Sequence, residues 1–214
     1  VVFFTGAGIS VGAGLPTYRG KGGLYETSDL EPPSIDDVTR ERLPRLWARF
    51  RSRLATTHRP RPSRAHSAIA HLEQTLDAPV TVLTQNVDGL HVDAGSTRVT
   101  ELHGTLRSMH CRGSGHRLAV DDGVWTDGVP YCTACGDICR PDVVLFGEAL
   151  PARAFGDAQV AIREARTIVA VGTSVPELAT AIISRMRGHD EVGLGTILGS
   201  NIFNVLFILG IKRM

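Results

Sequence analysis

Aromatic residues are scarce in this chain, 6% of 214 residues, and neither sign of charge dominates: 23 basic against 22 acidic residues leave a net charge of +1. A balance so close to neutral lacks the electrostatic footprint of a nucleic-acid binder. There is no initiator methionine and no signal peptide. The first residues, Val1-Val2-Phe3-Phe4, already read as a buried strand, so a truncated start is expected. Cysteine is confined as well: all four lie between Cys111 and Cys139. A small secreted domain would scatter its cysteines as staples, whereas a tight cluster with a Cys-x-x-Cys pair reads as a metal site in a reducing compartment. What the chain has in plenty is glycine, 23 residues, which suits an α/β fold with many tight turns. The length supports one good core with a small module attached.

Val1 to Phe4 runs into Thr5-Gly6-Ala7-Gly8-Ile9-Ser10 and on to Gly14. Strand, glycine turn and helix start form the arrangement that cradles phosphates, because glycines let the backbone approach an anion. The third glycine of a Gly-x-Gly-x-x-Gly pattern would sit at Val11, and Gly12 comes one place late. Pro16-Thr17-Tyr18-Arg19-Gly20 is loop chemistry, either a lid over a ligand or a plain surface loop. Asp36 to Leu54 reads as a helix, with Leu43, Leu46, Trp47, Phe50 and Leu54 at helical spacing and Pro44 tolerable only near the first turn. Its many arginines make a basic solvated face, or one or two of them bind an acidic substrate group. Ser63 caps a second helix, Arg64 to Leu76, with Ala65, Ala68, Ile69 and Leu72 inward.

The strand Val80 to Leu83 then delivers Thr84-Gln85-Asn86-Val87-Asp88, followed by Glu101-Leu102-His103-Gly104. Such a cluster of amide, carboxylate and imidazole is what a strand carries when it ends at a site, although a polar turn has a similar composition. Cys111 and Cys132-Thr133-Ala134-Cys135 follow. A second Cys-x-x-Cys would need cysteine where Ser114 stands, so His110, His116 or Cys139 is left to complete a zinc site, or the ribbon is metal-free. Arg140 to Glu148 reads as a strand with a polar tip, Asp157 to Arg166 as a helix, and Thr167 to Val171 as a strand ending in Gly172-Thr173-Ser174. Strands ending in ligand-ready loops point to one crevice at the carboxyl edge of a parallel sheet.

Taken in order, Gly6-Ala7-Gly8-Ile9-Ser10 with Pro16-Thr17-Tyr18-Arg19-Gly20, Thr84-Gln85-Asn86-Val87-Asp88, Leu102-His103-Gly104, the cysteine module, Arg140-Pro141-Asp142 through Phe146-Gly147-Glu148, and Val171-Gly172-Thr173-Ser174 resemble the sirtuin family of NAD-dependent protein deacylases. The resemblance covers residues 1–174. It implies a Rossmann-like parallel sheet with a small helical and zinc-ribbon lobe (residues 105–141), clasping NAD and an acylated protein or peptide substrate in the cytoplasm. It implies catalytic roles for His103, Asn86 and Asp88, with His103 as the base that takes a proton from a ribose hydroxyl. Gly6, Ala7, Gly8, Ile9, Thr17, Tyr18, Arg19, Gln85, Asn86, Val87, Asp88, Gly172, Thr173 and Ser174 would contact NAD, and Cys111, Cys132 and Cys135 would hold zinc. The Thr17-Tyr18-Arg19 form resembles the class that includes desuccinylases. The Tyr-x-x-Arg pair of that class corresponds to Phe50 and Arg53 here, which keeps the guanidinium and loses the hydroxyl.

After Ser174 the sirtuin pattern stops. Glu177, Gly195-Thr196-Ile197-Leu198-Gly199-Ser200-Asn201 and Asn204 resemble one α-repeat of a cation/calcium exchanger, and Gly172-Thr173-Ser174 belongs to both patterns. Val192 to Gly210 carries no charge, close to the ~20 residues that span a bilayer, and Lys212-Arg213 form a basic flank. Residues 175–214 are thus expected to be apolar and helical, with membrane contact through 192–210 or as a buried helix pair. The site of such an exchanger needs two facing repeats, which makes transport by this chain unexpected. Three functions follow: a deacylase, an exchanger fragment with a soluble extension, and a deacylase-derived binding module whose cofactor site is incomplete and whose sheet edge is left open.

Overall fold

The computed structural model describes residues 1–18, 23, 32–55, 60–120, 128–172 and 208–210, with backbone alone for 52–55 and 208–210. Two sheets organise them. The larger has five strands in the order β3-β2-β1-β7-β8: β1 (Val2–Thr5), β2 (Thr81–Thr84), β3 (Val99–Glu101), β7 (Thr167–Val171) and β8 (Ile208–Gly210). The first four run parallel, and β8 pairs antiparallel with β7. The smaller sheet is antiparallel, in the order β5-β4-β6, from β4 (Gly104–Cys111), β5 (Arg117–Ala119) and β6 (Cys139–Val143).

β1 reads as an unbroken apolar run because the large sheet is covered on both faces. Val2 and Phe4 pack with Leu83, Leu102, Ala158, Ile162 and Ile168 beneath helix α4 (Ala152–Glu164). Phe3 points the other way and packs with Ile9, Ile69, Val80 and Val82 beneath helix α2 (Arg64–Thr75). The chain leaves β1 in one direction to reach β2, and β7 returns to the other side of β1. The right-handed rule for such crossovers then puts α2 and α4 on opposite faces and makes β1/β7 the point where strand order reverses.

Helix α1 (Leu43–Ala55) belongs to the smaller sheet. Leu43, Leu46 and Phe50 pack against Ile138, Val143 and Leu145, while Trp47 is fully buried among Met109, Cys111, Cys132 and Cys139. The Trp47 indole N–H donates to the Cys139 carbonyl at 2.9 Å, so the residue fills the lobe and also supplies a hydrogen bond to it.

Several elements differ from their sequence expectation. The glycine turn continues as a 3-10 segment, Ala7–Ala13, closed by Gly14 at φ 86°, because glycines at 12 and 14 do not sustain an α-helix. The expected Asp36–Leu54 helix splits into a 3-10 turn, Ile35–Asp37, and α1 starting one residue before Pro44. In α2, Ala68 is exposed while His66 and Ala70 are buried. Helix α4 begins five residues before Asp157. The strand expected over 140–148 is β6 of the small sheet, so β1, not this segment, supplies the third parallel tip. Of the expected apolar helix over 175–214, only Ile208–Gly210 is described, and it is strand; the free edge of β7 is thereby paired. Among the described residues no helix is long and apolar enough to cross a membrane. Glu177, Asn201 and Asn204 lie outside the described residues.

Two buried histidines brace the end of β1. The His91 ring, in the single helical turn α3 (Leu90–Asp93), is 2% exposed and lies 2.9 Å from the Thr5 hydroxyl through Nε2. The His66 ring, fully buried, accepts the Ser63 N–H at 3.2 Å and so caps α2 where a carboxylate often does. The two rings meet edge to face at 4.6 Å. Burial first, then its neighbour His66, pushes the His91 imidazole down to about 4. An unfolded imidazole near 6.5 then binds more protons than the folded one, so stability is full above about pH 6.5 and is lost as the pH falls towards 4. Between pH 7.5 and 5 this group alone costs about 2 kcal/mol. His91→Gln should remove roughly that much from the pH dependence of urea unfolding; equal pH dependence in both proteins would refute the account.

Candidate functional site

The inner parallel strands end together, and backbone hydrogen bonds stitch their tips. The Gly6 N–H donates to the Val171 carbonyl at 3.2 Å, the Gly8 N–H to the Gly172 carbonyl at 2.6 Å, and the Gln85 N–H to the Thr5 carbonyl at 2.9 Å. The contact between Gly8 and Gly172 requires both glycines. A Cβ on Gly8 would stand 2.7 Å from the Gly172 Cα, and one on Gly172, whose φ is 62°, would stand 2.1 Å from the Ile9 nitrogen. Bare backbone is therefore what the switch point offers at the mouth of the crevice.

Side chains converge on this edge from β2. Asn86, 6% exposed, donates through Nδ2 to the Gly6 carbonyl at 3.2 Å and to Ser10 Oγ at 3.0 Å. Ser10 Oγ donates in turn to Asp88 Oδ2 at 2.7 Å, and Asp88 Oδ1 accepts the Leu90 N–H at 3.0 Å. The relay Asn86–Ser10–Asp88 holds an amide and a carboxylate in fixed orientation across the glycine turn. Ser10 was legible in the Gly6–Ser10 motif, but only the fold shows that its hydroxyl joins the two polar residues of β2's tip.

His103 arrives from the turn between β3 and β4. Its Nδ1 lies 2.9 Å from the Gln85 carbonyl. A carbonyl only accepts, so Nδ1 carries the proton and Nε2 is the basic nitrogen. The turn is held on both sides: the Leu102 N–H donates to the Thr84 carbonyl at 2.8 Å and the Val144 N–H to the His103 carbonyl at 2.9 Å. Gly104 follows at φ 73°, where a Cβ would meet the Asp142 carbonyl oxygen at 2.1 Å. Burial lowers the His103 pKa, opposed by the Gln85 hydrogen bond, so the ring is neutral near pH 7.

The other sequence-derived candidates divide. Gly6, Ala7, Gly8, Ile9, Gln85, Asn86, Val87, Asp88, His103 and Gly172 lie at the strand tips or in the segments leaving them. Thr17 and Tyr18 lie in the irregular chain beyond Gly14, with Tyr18 in a bend. Arg19, Thr173 and Ser174 fall outside the described residues, as does the side chain of Arg53. Phe50 is 6% exposed and packs in the core of the small lobe; Val87 packs against that same cluster, and its carbonyl accepts the Leu106 N–H at 2.9 Å. Phe50 and Val87 thus share one apolar cluster of the small lobe.

In the small lobe one ligand atom each from Cys111, Cys132 and Cys135 lies within 4.8 Å of the others. Three sulfurs, one from the end of β4 and two from the turn between Tyr131 and Ile138, and not joined as disulfides, fit a tetrahedral thiolate-rich zinc site. Beside them, His116 Nδ1 lies 3.6 Å from Cys132 Sγ, and this neighbour lowers the Cys132 thiol to about 6.

A doubly covered parallel sheet with a glycine turn, an amide–carboxylate relay and a neutral imidazole at its carboxyl edge defines a dinucleotide-dependent enzyme. The family model for the Sir2 family matches residues 6–177, and the chain belongs to that family. It is 37% identical over 174 residues to the NAD-dependent protein deacetylase of Listeria monocytogenes serotype 4b (81% of this chain, 74% of that one). It is 40% identical over 185 residues to NAD-dependent protein deacylase 2 of Pyrobaculum aerophilum (86% and 74%). Among solved structures, a Sir2 homologue mutant in complex with ADP-ribose superposes with a TM-score of 0.78 at 33% identity (88% and 76%). A Sir2 homologue–NAD complex does so with a TM-score of 0.74 at 33% identity (88% and 74%). A second model, the sodium/calcium exchanger protein, matches residues 165–212.

An NMR titration of the His103 ring should give a pKa below the ~6.5 of a free imidazole, with the Nδ1–H tautomer above it. A ring titrating above that value would remove it as a neutral base.

Proposed function

We propose that the chain is an NAD-dependent protein-lysine deacylase that transfers an acyl group from a lysine side chain to ADP-ribose and releases nicotinamide. The observation that carries the reading is the His103 ring, oriented by the Gln85 carbonyl beside the Asn86–Ser10–Asp88 relay. NAD supplies a ribose carbon made electrophilic by departure of nicotinamide. The protein's own contribution is positional. Gly6, Ala7, Gly8, Ile9 and Gly172 present backbone to the dinucleotide, while Gln85 and Asn86 orient the ribose. Asp88 accepts from the nicotinamide amide with the lone pairs that Ser10 and Leu90 leave. His103 Nε2 takes a proton from a ribose hydroxyl. Zinc in the Cys111–Cys132–Cys135 lobe has a structural role.

The sirtuin-like domain is read as residues 1–174 with its ribbon at 105–141. The exchanger match at 165–212 supports a second origin for residues 175–214, joined near Gly172 to Ser174. Coding DNA that reads continuously across this point in independent isolates would support a natural fusion.

Nicotinamide release from NAD should depend on an acyl-lysine peptide and fall about 10²–10⁴-fold in His103→Ala, the usual contribution of a proton-transferring side chain. In the unaltered protein kcat/KM should decline as the pH drops through the lowered His103 pKa. Equal rates for the two proteins would reduce the chain to a binding module.

For the acyl group, acetyl is the primary substrate and succinyl a secondary one read by Arg53. The apolar packing of Phe50 supports this order, since no hydroxyl is offered there to a second carboxylate oxygen. Arg53→Ala should lower kcat/KM for succinyl-lysine about 10-fold or more, the scale of a hydrogen bond to a charged group, and leave acetyl-lysine within about twofold. Equal losses for both peptides would remove Arg53 as the selective group.

A further inference from the structure

We infer that the zinc site of this chain is completed by the imidazole of His116, giving a three-sulfur, one-nitrogen set in place of four thiolates. The site lacks a fourth cysteine because Ser114 occupies the position that would complete Cys-x-x-Cys from Cys111.

The β4–β5 hairpin shows how His116 takes over. The Gly115 N–H donates to the Cys111 carbonyl at 3.0 Å, and Gly115 turns the chain at φ 71°. The Cys111 N–H then donates to the His116 carbonyl at 2.8 Å. The turn returns His116 to the level of Cys111, two residues beyond Ser114, with its Nδ1 3.6 Å from Cys132 Sγ. At tetrahedral angles, Zn–S and Zn–N bonds of about 2.3 and 2.0–2.1 Å put sulfur and nitrogen ligands about 3.5 Å apart. His116 is exposed, so its ring has room to swing from Cys132 onto a metal shared with Cys111 and Cys135.

The other candidates are committed elsewhere. His110 neighbours Cys111 along β4 and so points to the opposite face, where its Nδ1 lies 3.5 Å from Asp142 Oδ1. Cys139, like His116, lies outside the 4.8 Å group of Cys111, Cys132 and Cys135, but it is fully buried against Trp47 and Met109 and lacks the room that the exposed His116 ring has to move onto a shared metal. Ser114 has become a support: its N–H donates to Cys111 Sγ at 3.4 Å and its hydroxyl lies 3.5 Å from Cys135 Sγ, contacts that hold the sulfurs in place.

The test uses the whole chain, stripped of metal and titrated with Co(II) and then with zinc against a chromophoric chelator. The unaltered protein should bind one ion, with a charge-transfer band of three thiolates and ligand-field bands of a mixed sulfur–nitrogen tetrahedron. His116→Ala should weaken zinc by at least about 10²-fold, beyond the 10- to 100-fold typical of disturbing the outer shell alone. The double variant His116→Ala with Ser114→Cys should regain binding and shift the spectrum to that of four thiolates, which keeps the test decisive where the single variant folds poorly. Unchanged affinity and spectrum in His116→Ala, loss on Cys139→Ser instead, or no metal binding by the unaltered protein would each overturn the assignment.

Discussion

The Gly8–Gly172 backbone contact is the constraint on which the rest of the structure depends. At 2.6 Å, with no side chain between them, the tips of β1 and β7 close on each other at the one place where strand order reverses. This fixes the glycine turn, and the turn fixes Ser10, which joins Asn86 to Asp88. Two strands and the turn between them thus share one orientation, set by sterics at a pair of glycines.

Among the described residues, Val87 and Gly104 tie the small lobe to that arrangement. Val87 lies between Asn86 and Asp88, yet its side chain packs on the α1 cluster and its carbonyl receives the Leu106 N–H. Gly104 lets the chain pass against Asp142 as it leaves His103. Trp47 then holds α1 to β6 through the Cys139 carbonyl. The cysteine cluster and His103 therefore flank opposite ends of the single strand β4.

Much of the site was legible from the sequence because its residues are contiguous or occupy strand ends. Gly6 to Ser10 and Thr84 to Asp88 announced themselves by placing polar groups directly after apolar runs. Other features were not, because they depend on partners far apart in the chain. Nothing local says that Ser10 bridges Asn86 and Asp88, that His66 and His91 meet edge to face behind Thr5, or that the strand starting at Cys139 joins the small sheet. The edge strand Ile208–Gly210 was likewise hidden in an uncharged run whose composition suits a helix, since an edge pairing uses backbone groups that every residue carries.

By itself the sequence determined the inventory: a glycine turn, a strand tip with amide and carboxylate, one histidine before a glycine, and a thiol cluster short of one cysteine. Those are matters of residue type and spacing, which local chemistry reads directly. Tertiary structure alone decided which nitrogen of His103 is basic, which hydroxyl couples Asn86 to Asp88, and which histidine faces the sulfurs. Each of these is settled by a neighbour brought within hydrogen-bonding reach from a distant part of the chain, and only the packed sheets supply that neighbour.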